Sequence, residues 1–152
     1  MTVHTPGATV RRSWASDLDT ATLYELIRLR VDVFVVEQDC PYPELDGRDL
    51  EARTRHYWLA GPDAEVLGTL RLLKEPDGGY RIGRVCTRLP ARGHGLGGRL
   101  MAAALAEVGS GRCVLDAQEQ QVAFYERHGF AVSGERFMED GIPHLPMARG
   151  GS

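Results

Sequence analysis

Arg92-Gly93-His94-Gly95-Leu96-Gly97-Gly98-Arg99 sets four glycines between two arginines, and Leu96, Leu100, Ala104 and Val108 then repeat every four residues until Gly109 and Gly111. That spacing predicts a helix whose N-terminus opens directly from the loop. Glycine lets the backbone bend where a Cβ would clash, and it leaves the N–H groups bare. With the positive end of a helix behind them, such amides form an anion-binding loop, and phosphate is the expected ligand.

Two nucleotide chemistries use a loop of this kind. Gly93 to Gly98 satisfies GxGxxG, and Asp116 lies about where a dinucleotide-binding fold puts its ribose-binding acid. Against an NAD-binding domain, Arg88-Leu89-Pro90-Ala91-Arg92 separates the loop from the strand before it, and the chain after Gly98 is too short to complete a doubly wound sheet. The same residues fit RxxGxG, from Arg92 through Gly95 to Gly97.

Upstream of the loop, runs at about His56–Ala60, Val66–Lys74 and Tyr80–Thr87 read as an antiparallel meander, turned between the last two by Pro76-Asp77-Gly78-Gly79. Further back, Arg11–Ala15 reads as a short strand. Asp17 to Thr20 then caps a helix reaching about Val36, with Leu23, Leu26, Ile27, Val31 and Phe34 as its apolar face and Arg30 on the edge of that face. Asp39 to Arg55, rich in Pro, Asp, Glu and Gly, is expected to be a long ordered loop or a broken helix. Downstream, Cys113–Asp116 reads as a buried strand, Gln120–His128 as a helix capped by Gly129, Phe130–Phe137 as a strand, and Ile142–Ala148 as a segment closing the sheet. The expectation is a single α/β (α+β) domain over residues 1–152, with loose ends at 1–10 and 149–152.

A formal net charge of -3 provides no general attraction to nucleic acid or membrane. Cys40, Cys86 and Cys113 are too few and too far apart for a disulfide framework, and no His/Cys grouping has zinc-ligand spacing, so no metal is expected. With no apolar run for export or membrane crossing, the expected location is the cytoplasm.

The RxxGxG loop and Ala123-Phe124-Tyr125-Glu126-Arg127-His128-Gly129-Phe130, which is similar to AxxLYEKxGF, occur in the order seen in the GNAT superfamily of N-acetyltransferases, which the chain resembles. Within it, Leu29-Arg30-Val-Asp-Val-Phe34-Val-Val-Glu37-Gln38, Cys40-Pro-Tyr-Pro-Glu-Leu-Asp46, Asp116-Ala-Gln118 and Glu139-Asp-Gly-Ile-Pro-His144-Leu-Pro-Met147 resemble the ElaA-like group. Gln118 stands where many relatives have Asn.

The resemblance implies a mixed, mostly antiparallel sheet, flanked by helices, whose splayed middle strands admit the pantetheine arm of acetyl-CoA. Backbone groups of Val85, Cys86 and Thr87 would line the arm, with the Gln118 amide on its other side. The amides of Gly93, His94, Gly95, Leu96, Gly97 and Gly98 would take the diphosphate, with charge added by Arg92 and Arg99. Arg84 interrupts the alternation of its strand, which points to a bulge aiming an N–H at the thioester oxygen. Tyr125 is the implied general acid. Glu37 is the leading candidate for the base, with Asp46 and His144 behind it. The acceptor implied is a primary amine of a small molecule or peptide. An acyl-homoserine-lactone-synthase-like reaction, faintly signalled by Arg30-Val-Asp-Val-Phe34 with Asp46 and Asp49, and a non-catalytic acyl-CoA sensor remain open, as do monomer and homodimer.

Overall fold

In the computed structural model, which describes residues 7–151, eight strands form one sheet among the described residues. β1 (Thr9–Trp14), starting two residues before the expected strand, adds to the edge of the expected three-strand meander of β2 (Arg55–Ala60), β3 (Val66–Lys74) and β4 (Tyr80–Thr87). Each pairs antiparallel with the next. The β3–β4 hairpin closes where the Asp77 carboxylate accepts the Gly79 N–H at 2.8 Å and Gly78 takes a positive φ. β5 (Cys113–Gln118) joins β4 in parallel, and β8 (Ile142–Arg149) lies antiparallel along all of β5. β6 (Ala131–Val132) and β7 (Phe137–Glu139) both pair with β8.

Helix α2 (Leu96–Val108) covers one face of the sheet. Leu96, Leu100, Ala104 and Val108 are buried against Tyr57, Leu59, Leu70, Leu72 and Ile82, as the four-residue repeat requires. Helix α1 (Thr20–Arg30) covers the other face. Asp19 caps it by accepting the Thr22 N–H at 2.7 Å. The chain then continues as a π-helix over Val31–Glu37, which ends where Cys40 N–H reaches back to the Val35 carbonyl. The buried face keeps α-helical spacing but is displaced round the helix from the expected one. Leu26, Leu29 and Val33 are the fully buried apolar residues, Leu23, Ile27, Val31 and Phe34 are only partly covered, and Arg30 sits inside the stripe with 1% of its surface exposed.

Other differences lie toward the C-terminus. The expected helix over Gln120–His128 is a 3-10 turn at Glu119–Gln121 followed by the short α3 (Val122–Glu126). The expected strand over Phe130–Phe137 is two strands, β6 and β7. Pro146 of β8 has no N–H to offer and takes only the Ser133 N–H on its carbonyl, so the facing chain loops away at Gly134, which packs on the Pro146 ring. β8 is not an outer strand closing the sheet; it is inserted between β5 and β6. Of the expected loose ends, residues 1–6 and 152 lie outside the described residues, while Thr9, Val10 and Arg149 belong to strands.

Candidate active site

The middle of the sheet is open. β4 and β5 pair only through Tyr80 with Cys113 and Arg81 with Val114, and their remaining residues make no ladder with each other. On its other side β4 carries a bulge. Thr69 faces Cys86 and Arg71 faces Gly83, so β4 has one extra residue there, and Arg84 adopts a φ of 55°. Backbone polar groups beyond Arg81 therefore face a gap. That gap runs into a cleft of about 1370 Å³, larger than the ~300–1,000 Å³ that holds one drug-sized ligand.

The glycine loop forms one wall of this cleft. Gly93 and Gly95 have positive φ, at 84° and 73°, and a Cβ on either would meet open space, so conformation rather than crowding calls for glycine. Gly95 is the N-cap of α2 and no side chain caps the helix. The first amides of a thirteen-residue helix thus remain open to an anion. Gly93, Gly95, Leu96, Gly97 and Gly98 line the cleft together with Val85, Cys86, Thr87, Arg92, Gln118, Glu37 and Tyr125. His94 and Arg99 do not line it; Arg99 follows α2 round to its far side and donates to the Ala8 carbonyl at 2.9 Å.

Several of these residues bond one another. Arg92 holds Glu37 through two bonds of 2.6 and 2.7 Å and donates its Nε to the Thr87 carbonyl at 3.0 Å. This ion pair holds the Glu37 carboxyl below its ordinary range, chiefly through the Arg92 hydrogen bonds, which weakens it as a base. Glu37 and Arg30, on one helix in sequence, have separate partners. The next residue, Gln38, exchanges amide bonds of 3.1 and 3.4 Å with Gln118 across the cleft. Consecutive residues at the end of the π-helix thereby occupy two side chains assigned to the cofactor.

Tyr125 lies on α3, with its ring edge-on to Phe124 and Phe130. No protein group among the described residues hydrogen-bonds its hydroxyl. Burial, with a smaller contribution from Cys86, raises its pKa, so it stays protonated near neutrality. Burial also pushes the Cys86 thiol up to about 12, which argues against a thiolate nucleophile there.

The opposite wall was not legible as a set. Arg30 bonds Glu44 at 2.7 Å and Asp49 at 2.6 and 3.0 Å, all three buried. Arg71 holds both oxygens of Asp46 at 2.9 and 2.6 Å and reaches Asp49 at 3.2 Å, while Arg84 bonds Glu44 at 2.8 Å. The hydrogen bonds from Arg71 bring the Asp46 carboxyl far below its usual range, removing it as a base. The run of Asp, Glu and Arg in residues 44–55 was the available signal. Among the described residues, no group of His, Cys, Asp and Glu is placed to hold a metal ion, and no helix is long and apolar enough to cross a membrane.

Residues 30–149 match the family model for the acetyltransferase (GNAT) domain. The chain belongs to the GNAT family. It is 60% identical over 146 residues to a UPF0039 protein of Mycobacterium tuberculosis, the match covering 94% of each chain. It is 39% identical over 140 residues to the protein ElaA of Escherichia coli, covering 88% of this chain and 91% of ElaA. The crystal structure of a Pseudomonas aeruginosa acyl-CoA N-acyltransferase superposes with a TM-score of 0.85 at 40% identity, over 93% of this chain and 99% of that one. The GNAT fold read from the motifs, its mixed sheet and its ElaA-like character are therefore established. The splayed strands, the bulge and the open loop border one cleft.

Proposed function

We propose that the chain moves an acetyl group from acetyl-CoA to a primary amine of a small molecule or peptide, by direct attack through a tetrahedral intermediate. The observation that carries this reading is the unpaired gap between β4 and β5 opening beside the uncapped N-terminus of α2. A pantetheine arm hydrogen-bonded to strand edges, with its diphosphate on helix amides, needs both features side by side. In this reading the amide at the Arg84–Val85 bulge donates to the thioester oxygen as it becomes an oxyanion. Arg92 turns from Glu37 to the diphosphate, and Gln118 turns from Gln38 to the arm.

Tyr125 protonates the departing thiolate. Its raised pKa does not disqualify it, because the dry cleft that raises Tyr125 and Cys86 also raises the basicity of the leaving sulfur. Glu37 can serve as the base of the acceptor only after Arg92 has left it. Holding amine and thioester in contact supplies much of the acceleration.

The test is release of free CoA thiol from acetyl-CoA over a panel of primary amines, beside calorimetric titrations with acetyl-CoA and NAD. Amine-dependent release is expected. Tight acetyl-CoA binding with no release for any amine would make the protein a sensor, and binding of NAD alone would overturn the cofactor assignment.

A further inference from the structure

Glu37 is tied to Arg92 and Asp46 to Arg71, so two of the three side chains proposed from sequence as bases are engaged by guanidinium groups. The third, His144, is placed differently. It lies in β8 directly opposite Gln118 of β5 and lines the cleft. Directly opposed residues of an antiparallel pair present their side chains on the same face, with Cβ atoms about 4.5–5.5 Å apart. Carrying the Arg81–Val114 register along β4 and β5 brings Val85 level with Gln118, to within the extra residue of the bulge. The bulge amide, Gln118 and His144 thus form a row across β4, β5 and β8, with the gap between the first two. Glu37, joined through Arg92 to the Thr87 carbonyl, lies farther along toward the diphosphate loop.

The surroundings of His144 also fix its proton. Nδ1 lies 2.8 Å from the Ile142 carbonyl oxygen, which can only accept, so Nδ1 carries the hydrogen and the neutral ring presents the Nε2 lone pair. The ring is stacked on Phe137, with centroids 5.6 Å apart and planes 22° from parallel. Glu139 is the charged group beside Nε2, its carboxylate oxygen 4.0 Å away. Gln118 opposite is uncharged, and Asp116 on the same strand face is engaged by Arg81 at 3.2 Å. Asp140 at the β7–β8 turn contributes its backbone carbonyl to the Cys40 thiol.

We propose that His144 is the catalytic base that deprotonates the acceptor ammonium, an inference that rests on the acyltransfer reading above. Nε2 takes one proton from the ammonium, giving a neutral amine. The nitrogen attacks the thioester carbon, forming the C–N bond and an oxyanion. Collapse restores the carbonyl and breaks the C–S bond, and the thiolate takes the Tyr125 proton. The phenolate regains a proton from the amide nitrogen, and the imidazolium releases its own to solvent. One ammonium and one acetyl-CoA become one amide, one CoA thiol and one proton.

The test uses His144→Asn, which keeps a donor near the Ile142 carbonyl but has no Nε2. With an amine acceptor found in the panel, kcat/KM should fall about 100-fold or more, and the acidic limb of its pH profile should disappear, while CoA affinity stays within about twofold and the thermal midpoint is retained. The loss should shrink for amines of low pKa, which are already neutral, and added imidazole should restore part of the turnover of His144→Ala. Neither effect follows from a structural role. If the asparagine variant does not fold, His144→Gln is profiled in its place. An acidic limb that survives in the His144 variants, or one that is lost in Glu37→Gln, overturns the assignment while leaving acyltransfer intact. Wild-type protein that releases no CoA with any amine overturns acyltransfer and the assignment together.

Discussion

Glu37→Gln should tighten binding of CoA. Both terminal nitrogens of Arg92 are bonded to the Glu37 carboxylate, at 2.6 and 2.7 Å, so a diphosphate has to displace that carboxylate before it can use the guanidinium. The pair is partly open to solvent, with 33% and 39% of the two side chains exposed, which puts it in the range of screened surface ion pairs. Exposed pairs are worth about 0.2–1 kcal/mol, and the bidentate geometry puts this one toward the upper part of that range. At about 1.4 kcal/mol per tenfold, removing the competitor should lower Kd roughly 1.5- to 5-fold. The gain should shrink at high salt, where the pair is already screened. Proton linkage supplies a second signature. Glu37 has a lowered pKa while bonded to Arg92 and a higher one once Arg92 has turned to the diphosphate, so the complex holds the proton more readily than the free protein. Wild-type affinity should therefore rise relative to the variant as pH falls through and below the ordinary glutamate range. Isothermal titration of both proteins with CoA, at two salt concentrations and across pH, measures all of this. Equal or weaker binding by Glu37→Gln at low salt would refute the exchange.

Tyr125→Phe should lower turnover by about 10²- to 10⁴-fold, the usual worth of a general acid, with acetyl-CoA affinity within a few fold by calorimetry; unchanged turnover would return the residue to the core. Arg30→Met leaves the buried Glu44 and Asp49 carboxylates without their shared cation, and should cost about 3 kcal/mol, the low end for a broken buried pair, because Arg84 and Arg71 remain. Although burial raises the Asp49 pKa, its bonds to Arg30 and Arg71 lower it more. Its contribution is therefore present above the unfolded aspartate pKa and fades on acidification, so wild-type and variant melting curves should converge in acid. Cys86 and Cys113, with thiols pushed up to about 12 and about 11 by burial, should resist iodoacetamide at neutral pH in the folded protein; mass spectrometry showing rapid labelling of either would contradict the packing of the sheet.

What could be read from sequence followed from how local each requirement is. The β2, β3 and β4 boundaries, the α2 repeat and the glycine loop depend on neighbouring residues: alternation, a turn dipeptide, a positive φ. The Arg84 bulge was also visible, as a break in alternation within one strand. The π-helix was not, because Val31–Glu37 has a sequence that an α-helix would also accept, and the buried stripe of Leu26, Leu29, Arg30 and Val33 was missed because it is centred on a charged residue whose partners are distant in sequence. The break between β6 and β7 depends on Pro146, which is distant in sequence. Pairing of Arg92 with Glu37, 55 residues away, and of Gln118 with Gln38, 80 residues away, could not be read from any local pattern.

The same distinction divides the site. In the proposed reading its cofactor half is mostly backbone, made of loop amides, a helix end and the edges of β4 and β5, with the side chains of Arg92 and Gln118 added. Its other wall presents Asp46, Arg71 and Arg84, and these are bonded to Arg30, Glu44 and Asp49 buried behind them, a network contributed by a helix, a loop and two strands. A backbone site loses affinity gradually as contacts are trimmed. A buried charge network fails as a unit, because removing one member leaves its partners desolvated and unpaired. Substitutions in residues 44–49 should therefore act on acceptor binding and on stability together, whereas substitutions of Arg92 or Gln118 should act on cofactor affinity with little effect on stability. Separating these effects by melting temperature and CoA titration would show whether residues 40–55 form a rigid wall of the acceptor pocket, as their bonding to β3 and β4 requires.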